Sequence, residues 1–335
     1  MDTDALDRLD SVTHGGTSDP DVLDFSANTN PRSPPGVVAA YDAALSSSRR
    51  YPSSDYPEFR NAAAEYVGCE GRQVLPTAGG MAGIRLVVST ALDEGDDVLL
   101  PAPSFGEYAK EVEIHGGTPT FVAHDEILDA DPADYALVVV CTPNNPTGEA
   151  YETGDLQAFA RRCRTADTTL LVDEAFLDFT GRSSLAGEPG VVVARSLTKM
   201  FGLPGLRAGF LVATGDQRDR LDTARVPWGL STPAATVGAH CLRQTEFVEE
   251  TRAIVASERE RMAARLATRF DVSPSDAPFL LLDVGDEDVD AIIESARADG
   301  VAIRDARTFR TLDNHVRVAV KRPDENDQCL AALNV

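Results

Sequence analysis

Lysine is nearly absent from this chain, and basic charge of any kind is in short supply. Only three of the 335 residues are lysine, and 31 basic side chains stand against 54 acidic ones, which gives a formal net charge of -23 at pH 7. Nucleic acids and anionic membrane surfaces would repel such a chain, so we expect neither as a partner. An acidic, lysine-poor composition is typical of halophilic proteins, and it predicts a densely carboxylated surface.

Long apolar runs and paired cysteines are also missing. No stretch approaches the roughly 18 apolar residues of a membrane span, and residues 1–10 are acidic where a secretory signal would be basic. Together these features predict a cytoplasmic protein. The five cysteines are odd in number and have no metal-ligand spacing, so we expect reduced thiols and no metal site.

The chain does contain enough apolar material for a large core. Hydrophobic residues make up 43% of its 335 residues, a length that favours one large domain and one smaller one. Between residues 74 and 213, short apolar runs alternate with segments of helical pattern, which is typical of β-α-β units. We therefore predict an α/β fold with a mostly parallel seven-stranded sheet between helices. The seven runs are VLPTA, DDVLLPA, TPTFVA, YALVVVCT, TTLLVDEA, GVVVARS and GFLVAT.

The two ends of the chain predict a second, smaller unit. Residues 1–45 are rich in Pro, Ser, Gly and Asn and cannot form a core alone, so we expect them to pack on the C-terminal part. After residue 245, an amphipathic helical pattern precedes the strand-like runs FLLLDVG and HVRVAV, which is typical of a compact α+β domain. We predict a large domain over residues 46–245 and a small domain formed by residues 1–45 and 246–335.

Chemistry-bearing residues follow three of the predicted strands. In open α/β sheets, ligands bind beyond the carboxyl ends of the strands. Asp173 ends one strand, and a carboxylate buried there needs a cation as a partner. Lys199 follows the next strand in a glycine-rich, apolar turn, where desolvation lowers the pKa of an amine and favours its attack on a carbonyl. The loop Thr142–Gly148 follows a third strand.

The same region predicts a phosphate site. Ser196, Thr198 and Arg207 supply two hydroxyl groups and a guanidinium, which suit a phosphate dianion. Gly80 and Met81 begin a predicted helix, and the free backbone amides at a helix N-terminus attract anions. A glycine-rich turn alone would also fit a nucleotide fold, but the chain has no G-x-G-x-x-G pattern, which disfavours a nicotinamide-dependent oxidoreductase.

In these residues the chain resembles the fold type I pyridoxal-phosphate enzymes, the aminotransferases of classes I and II. The resemblance covers nearly the whole length of the chain. The resemblance implies pyridoxal 5'-phosphate as cofactor and Lys199 as the lysine that binds it covalently. Asp173 is similar to the partner of the pyridinium nitrogen, and Asn145 to the hydrogen-bond donor for the phenolate oxygen. Phe105 is similar to the aromatic residue that stacks on the ring.

The resemblance extends to the phosphate site and to the assembly. Ser196, Thr198 and Arg207 match the phosphate binders of the family. Where relatives often have an acidic or hydroxyl residue, this chain has Gly80 and Met81, so only backbone donors are expected there. Tyr51 is similar to a tyrosine that donates to the cofactor phosphate of the neighbouring subunit, which implies a homodimer with shared sites.

Two groups in this family bind phosphorylated amines and are the most similar. The segment His14–Gly16, followed by DFSANTNP, resembles the threonine-phosphate decarboxylases. Histidinol-phosphate aminotransferases usually carry a tyrosine where this chain has Phe176. The resemblance thus implies decarboxylation of O-phospho-L-threonine to (R)-1-amino-2-propanol O-2-phosphate in cobalamin biosynthesis. The alternative is transamination of histidinol phosphate with 2-oxoglutarate in histidine biosynthesis.

Further residues are candidates for substrate binding. By the same resemblance, Arg317 and Arg304 would bind the substrate carboxylate. Asn28, His14 and Lys321 are candidates for the substrate phosphate. A pyridoxal-phosphate-binding regulator without turnover is the remaining alternative, and it is disfavoured because the chain has no basic DNA-binding module.

Overall fold

A computed structural model describes all residues from Met1 to Val335 and contains eleven α-helices and thirteen strands. The helices are α1 (Thr3–Arg8), α2 (Val37–Ser47), α3 (Pro57–Val67), α4 (Gly80–Ala91), α5 (Glu107–Ile114), α6 (Thr153–Thr165), α7 (Gly215–Ala224), α8 (Thr232–Leu242), α9 (Thr245–Leu266), α10 (Val289–Ala298) and α11 (Pro323–Ala332). The strands are β1 (Leu23–Asp24), β2 (Val74–Thr77), β3 (Asp97–Ala102), β4 (Thr118–Ala123), β5 (Leu137–Cys141), β6 (Thr169–Asp173), β7 (Val191–Ser196), β8 (Gly209–Val212), β9 (Asp271–Val272), β10 (Phe279–Asp283), β11 (Val301–Ala302), β12 (Arg304–Asp305) and β13 (His315–Ala319).

A seven-stranded sheet forms the centre of the molecule. Its strand order is β2-β8-β7-β6-β5-β3-β4, and only β8 runs antiparallel to its neighbours. Each strand lies in one of the seven apolar runs, so the predicted mostly parallel α/β sheet is confirmed. Every residue of β5 is buried because helices cover both faces of the sheet, which explains its continuous LVVVC sequence.

A smaller sheet lies towards the C-terminus. Its order is β12-β13-β10-β9, with all neighbours antiparallel, and α9, α10 and α11 lie in the same part of the chain. The N-terminal segment joins this part, since β1 pairs in parallel with β11 and Leu23 is the register partner of Val301. The division at residues 45 and 246 stays a prediction.

The fold brings functional side chains together at one edge of the large sheet. Because β5, β6 and β7 are adjacent and parallel, the residues that follow them emerge at the same edge. Residues 12–15 of the N-terminal segment cross this edge, and so do residues 304 and 317 of the small sheet. None of the helices has the length and apolar composition needed to cross a membrane.

Candidate active site

A cavity of about 290 Å³ lies at this sheet edge, between the large sheet and the small one. Both proposed catalytic residues, Asp173 and Lys199, open onto it. The other side chains that concern the chemistry come from five separate parts of the chain. They are His14, Asn28, Phe105, Tyr108, Cys141, Asn145, Phe176, Arg304 and Arg317.

Asp173 ends β6 as a buried carboxylate without an ion pair. Tyr108 Oη donates to Asp173 Oδ2 at 2.6 Å, and the backbone N–H of Ala175 donates to Oδ1 at 3.0 Å. Burial raises the pKa of Asp173, while these two hydrogen bonds oppose the rise. No lysine or arginine nitrogen lies within ion-pair distance, so the carboxyl group is suited to a cationic ligand atom.

Lys199 lies in the turn that follows β7. Asn30 holds this turn, because its backbone N–H donates to Lys199 O at 3.1 Å and its Nδ2 donates to Met200 O at 2.7 Å. Burial, together with repulsion from Arg317, lowers the pKa of the Lys199 amine to about 8. A substantial part of the amine is therefore neutral near physiological pH and able to attack a carbonyl group.

A second group of residues forms a cradle beside Lys199. Gly79 has a φ of +91°, and a Cβ at this position would lie 2.7 Å from Arg207 Nη2. A Cβ at Gly80, the first residue of α4, would lie 3.2 Å from Ser196 Cβ. Ser196 Oγ and Thr198 Oγ1 are hydrogen-bonded at 2.8 Å. Backbone amides, two hydroxyls and a guanidinium thus surround a space that side chains at the two glycines would fill.

The remaining cofactor-binding candidates differ in their surroundings. Phe105 packs edge-on against Tyr108, with ring centroids 5.5 Å apart. Asn145 Oδ1 accepts a hydrogen bond from Arg317. Met81 is the second residue of α4 and packs its side chain against the core beneath the large sheet, which leaves only its backbone for the cradle.

Arg304 and Arg317 lie opposite each other on β12 and β13 and are both buried. Arg304 Nη2 donates to Thr13 O and to Thr308 Oγ1, each at 2.7 Å. Arg317 donates to Asn145 and to Ser26 O, while its buried Nε has no partner. Burial, with repulsion from Arg304, lowers the pKa of Arg317 to about 9. Neither guanidinium has a carboxylate partner.

The candidates for the substrate phosphate are divided between the cavity and its surroundings. Asn28 lines the cavity, and its buried Oδ1 has no partner. His14 lies at the mouth, where its Nε2 is 2.9 Å from Glu107 Oε1. Lys321 does not line the cavity, and its ammonium lies outside it, 3.5 Å from Thr29 O. Its role as a phosphate ligand stays a prediction.

Tyr51 lies away from the cavity of its own chain. Its side chain is 79% exposed and packs against Trp228, with ring centroids 4.8 Å apart. The exposed Tyr51 is free to reach another subunit, and its proposed contact with the cofactor phosphate there stays a prediction.

Tyr108 and Cys141 are cavity residues that the sequence analysis missed. Tyr108 lies on the first turn of α5, three residues after Phe105, and Cys141 is the register partner of Asp173 on β5. The signal for Cys141 was its position at a strand end, directly before the loop that was singled out. No comparable signal existed for Tyr108, because its contact depends on the direction in which α5 leaves the loop.

Residues 20–333 match the sequence profile of aminotransferase class I and II. The chain belongs to this family. The match covers both sheets and every cavity residue from Ser26 onwards. The cofactor is therefore pyridoxal 5'-phosphate, and the site fits it, since Asp173 lacks a cationic partner and the cradle at Gly79 provides anion donors.

Curated relatives divide between two activities. The chain is 31% identical to the threonine-phosphate decarboxylase of Salmonella typhimurium over 343 residues, covering 97% of this chain and 93% of that protein. It is 30% identical to histidinol-phosphate aminotransferase 1 of Archaeoglobus fulgidus over 321 residues, covering 93% and 98%. The histidinol-phosphate aminotransferase of Sinorhizobium meliloti, solved with pyridoxal-5'-phosphate, has the same fold, with a TM-score of 0.82, 24% identity and coverage of 92% and 88%.

Proposed function

We propose that this enzyme removes CO2 from O-phospho-L-threonine and releases (R)-1-amino-2-propanol O-2-phosphate, a reaction of cobalamin biosynthesis. The observation that carries the proposal is the pair of buried guanidiniums, Arg304 and Arg317. In a chain of net charge -23, neither has a carboxylate partner, although burying an unpaired cation is costly. The carboxylate of O-phospho-L-threonine would supply the missing negative charge.

Different residues of the chain would bind different parts of the cofactor. Lys199 would hold it covalently through Nζ, and Asp173 would face its ring nitrogen. Ser196, Thr198 and Arg207 would bind its phosphate, with the backbone amides of Gly80 and Met81. Phe105 would cover one face of the ring, and Asn145 would bind its phenolate oxygen. When bound, pyridoxal 5'-phosphate accepts the electron pair that remains on a substrate carbon after a bond to it breaks.

The substrate-binding residues would decide which bond breaks, because the bond held perpendicular to the cofactor ring is cleaved. Arg317 would hold the carboxylate, and Arg304 would assist it, so these two residues set the orientation of the carboxyl group. Asn28, His14 and Lys321 are candidates for the phosphate at the other end of the substrate. After CO2 leaves, Lys199 Nζ, which lines the same cavity, would return a proton to the carbon.

Two observations favour the decarboxylase over the transaminase. Phe176 packs edge-on against Phe279, with ring centroids 5.1 Å apart, and presents no hydroxyl group to the cavity. The alignment with the Salmonella decarboxylase covers 97% of this chain, so it leaves out about ten residues. This is fewer than the residues that precede His14, and the alignment therefore includes the segment His14–Gly16. Transamination of histidinol phosphate is the second candidate, and the Archaeoglobus relative favours it.

Parallel assays with purified holoenzyme separate the two activities. One assay contains O-phospho-L-threonine and detects CO2 and the phosphorylated amine. The other contains histidinol phosphate and 2-oxoglutarate and detects glutamate. We expect turnover in the first assay and at least a hundredfold less in the second. Glutamate formation without release of CO2 would refute the proposed function and support the second candidate.

We further propose that the enzyme is a twofold-symmetric dimer in which Tyr51 reaches the cofactor phosphate of the partner subunit. Tyr51 and Trp228 form an exposed aromatic pair, and Val226 beside them is 70% exposed. Exposed apolar side chains of this size, close together, are typical of an interface between subunits. The chain also leaves Val38 and Leu45 of α2 exposed.

Sedimentation in molar KCl tests the dimer. Trp228→Glu places a charge in the proposed interface and is expected to give an inactive monomer, while Tyr51→Phe is expected to give a dimer with weakened cofactor binding. An active monomer of the wild-type chain would contradict both expectations. Ile254→Glu, at an exposed apolar position on α9, is the matched control and should remain dimeric.

A further inference from the structure

The shortest polar contact of Asp173 is made by a residue to which no role has been given. Tyr108 Oη donates to Asp173 Oδ2 at 2.6 Å, and the tyrosine side chain is fully buried. The Cys141 thiol also lies next to this hydroxyl, but sulfur is a weak acceptor, and Cys141 Sγ itself donates to Pro143 O at 3.2 Å. Phe105 packs edge-on against the Tyr108 ring, with the two ring planes at 86°, and so restricts its rotation.

The surroundings of Asp173 make this donor important. The ionisable groups that face the carboxyl are Tyr108 from α5, Cys141 from β5, Arg195 from β7 and Lys199 from the following turn. Burial raises the pKa of Asp173, and the Tyr108 hydroxyl is the strongest of the groups that oppose the rise. Burial also raises the pKa of Tyr108 well above its ordinary value, so this hydroxyl remains a donor at neutral pH.

We propose that Tyr108 is a positioning residue that keeps Asp173 ionised and thereby keeps the proton on the ring nitrogen of the cofactor. A hydrogen bond to an ionised carboxylate stabilises that form. Without the bond, Asp173 becomes a stronger base, and the shared proton moves from the ring nitrogen to the carboxyl oxygen. The ring then withdraws electrons less strongly. This inference rests on the role proposed above for Asp173.

A double-mutant cycle with a direct spectroscopic measurement tests the proposal. Tyr108→Phe, Asp173→Asn and the double variant are each loaded with pyridoxal phosphate that carries 15N in the ring. The 15N chemical shift reports whether the ring nitrogen is protonated. We expect the signal of Tyr108→Phe to move towards that of neutral pyridine and cofactor affinity to fall roughly tenfold, as expected for loss of a hydrogen bond to a charged group.

The Asp173→Asn background distinguishes the proposed role from a purely structural one. If Tyr108 acts through Asp173, Tyr108→Phe changes neither the 15N shift nor the affinity once Asp173 is replaced. Additive effects in the double variant would overturn the inference. An unchanged 15N shift in Asp173→Asn alone would instead refute the role of Asp173, so the two failures are distinguishable.

Two further variants complete the test. Tyr151→Phe is the matched control, because Tyr151 Oη also donates at 2.6 Å, but to the backbone oxygen of His124, and it should leave the 15N shift unchanged. Replacing Tyr108 with 4-aminophenylalanine keeps the ring and a donor and should largely preserve the wild-type shift. This second variant tests the proposal even if Tyr108→Phe does not fold, and a shift equal to that of Asp173→Asn would contradict it.

Discussion

Replacing Lys199 with methionine should stabilise the protein when the cofactor has been removed. The Lys199 amine is buried, lies near Arg317 and has no ion-pair partner, so its charged form is disfavoured in the folded chain. Methionine has a similar length and carries no charge. Removing the amine therefore removes an electrostatic cost that the wild-type apoprotein bears at this position.

The magnitude follows from the pKa of the amine, which falls from 10.5 to about 8 on folding. Between these two values the unfolded chain binds more protons than the folded one, so this group makes wild-type stability rise with pH. At pH 7.5 the cost is ~3 kcal/mol, using 1.36 kcal/mol per unit of pKa, and at pH 10 it has fallen to ~1 kcal/mol. The methionine variant should show neither the cost nor this part of the pH dependence.

Urea unfolding of the two apoproteins, in molar KCl at pH 7.5 and pH 10, measures the difference. Lys199→Met should be the more stable by ~3 kcal/mol at the lower pH and by ~1 kcal/mol at the higher one. Lys110→Met removes an ammonium group outside the cavity and serves as the control, with an expected change within about 0.5 kcal/mol. A wild-type apoprotein that equals or exceeds the stability of Lys199→Met at pH 7.5 would refute the reasoning.

Three other predictions follow from the site and from the charge of the chain. Borohydride treatment of the holoenzyme should fix the cofactor to Lys199, and mass spectrometry that finds the label on Lys110 or Lys321 would contradict the site assignment. Gly79→Ala should weaken cofactor binding by at least tenfold, because the new methyl group strains a backbone at φ +91° and displaces the Arg207 guanidinium. The melting temperature should rise between 0.1 and 2 M KCl, since the Debye length falls from about 10 Å to below 3 Å and screens the charge of -23. A melting temperature that is flat over this range would show that the charge serves solubility only.

The large sheet was predictable because each of its strands is an apolar run bounded by polar turns. Strands covered on both faces leave a continuous pattern, and β5 and β7 show it most clearly. The helix α2 was not predicted. It begins at Val37 after a segment rich in Pro and Ser, and it is stabilised by packing on α8 rather than by a marked pattern of its own.

The site was predictable to the extent that its residues follow strands. Asp173 and Lys199 each lie just beyond a parallel strand, and neighbouring parallel strands end at the same edge. Contacts that depend on antiparallel register or on helix direction could not be derived in this way. Arg304 and Arg317 face each other only because β12 and β13 pair with that register, and Tyr108 reaches Asp173 only because of the path of α5.

Because lysine is scarce, arginine is the main basic residue available for binding anions in this chain. At molar salt a surface charge acts over only about 3 Å, so anion recognition depends on direct hydrogen bonds within a cavity that excludes water. Arginine supplies such bonds from a fork of fixed geometry, and the proposed substrate carboxylate site uses Arg304 and Arg317. Arginine cannot take the place of Lys199, however, because a guanidinium stays protonated and cannot attack a carbonyl group. Of the three lysines in this chain, the one that lines the cavity therefore stands where the proposed chemistry requires an amine.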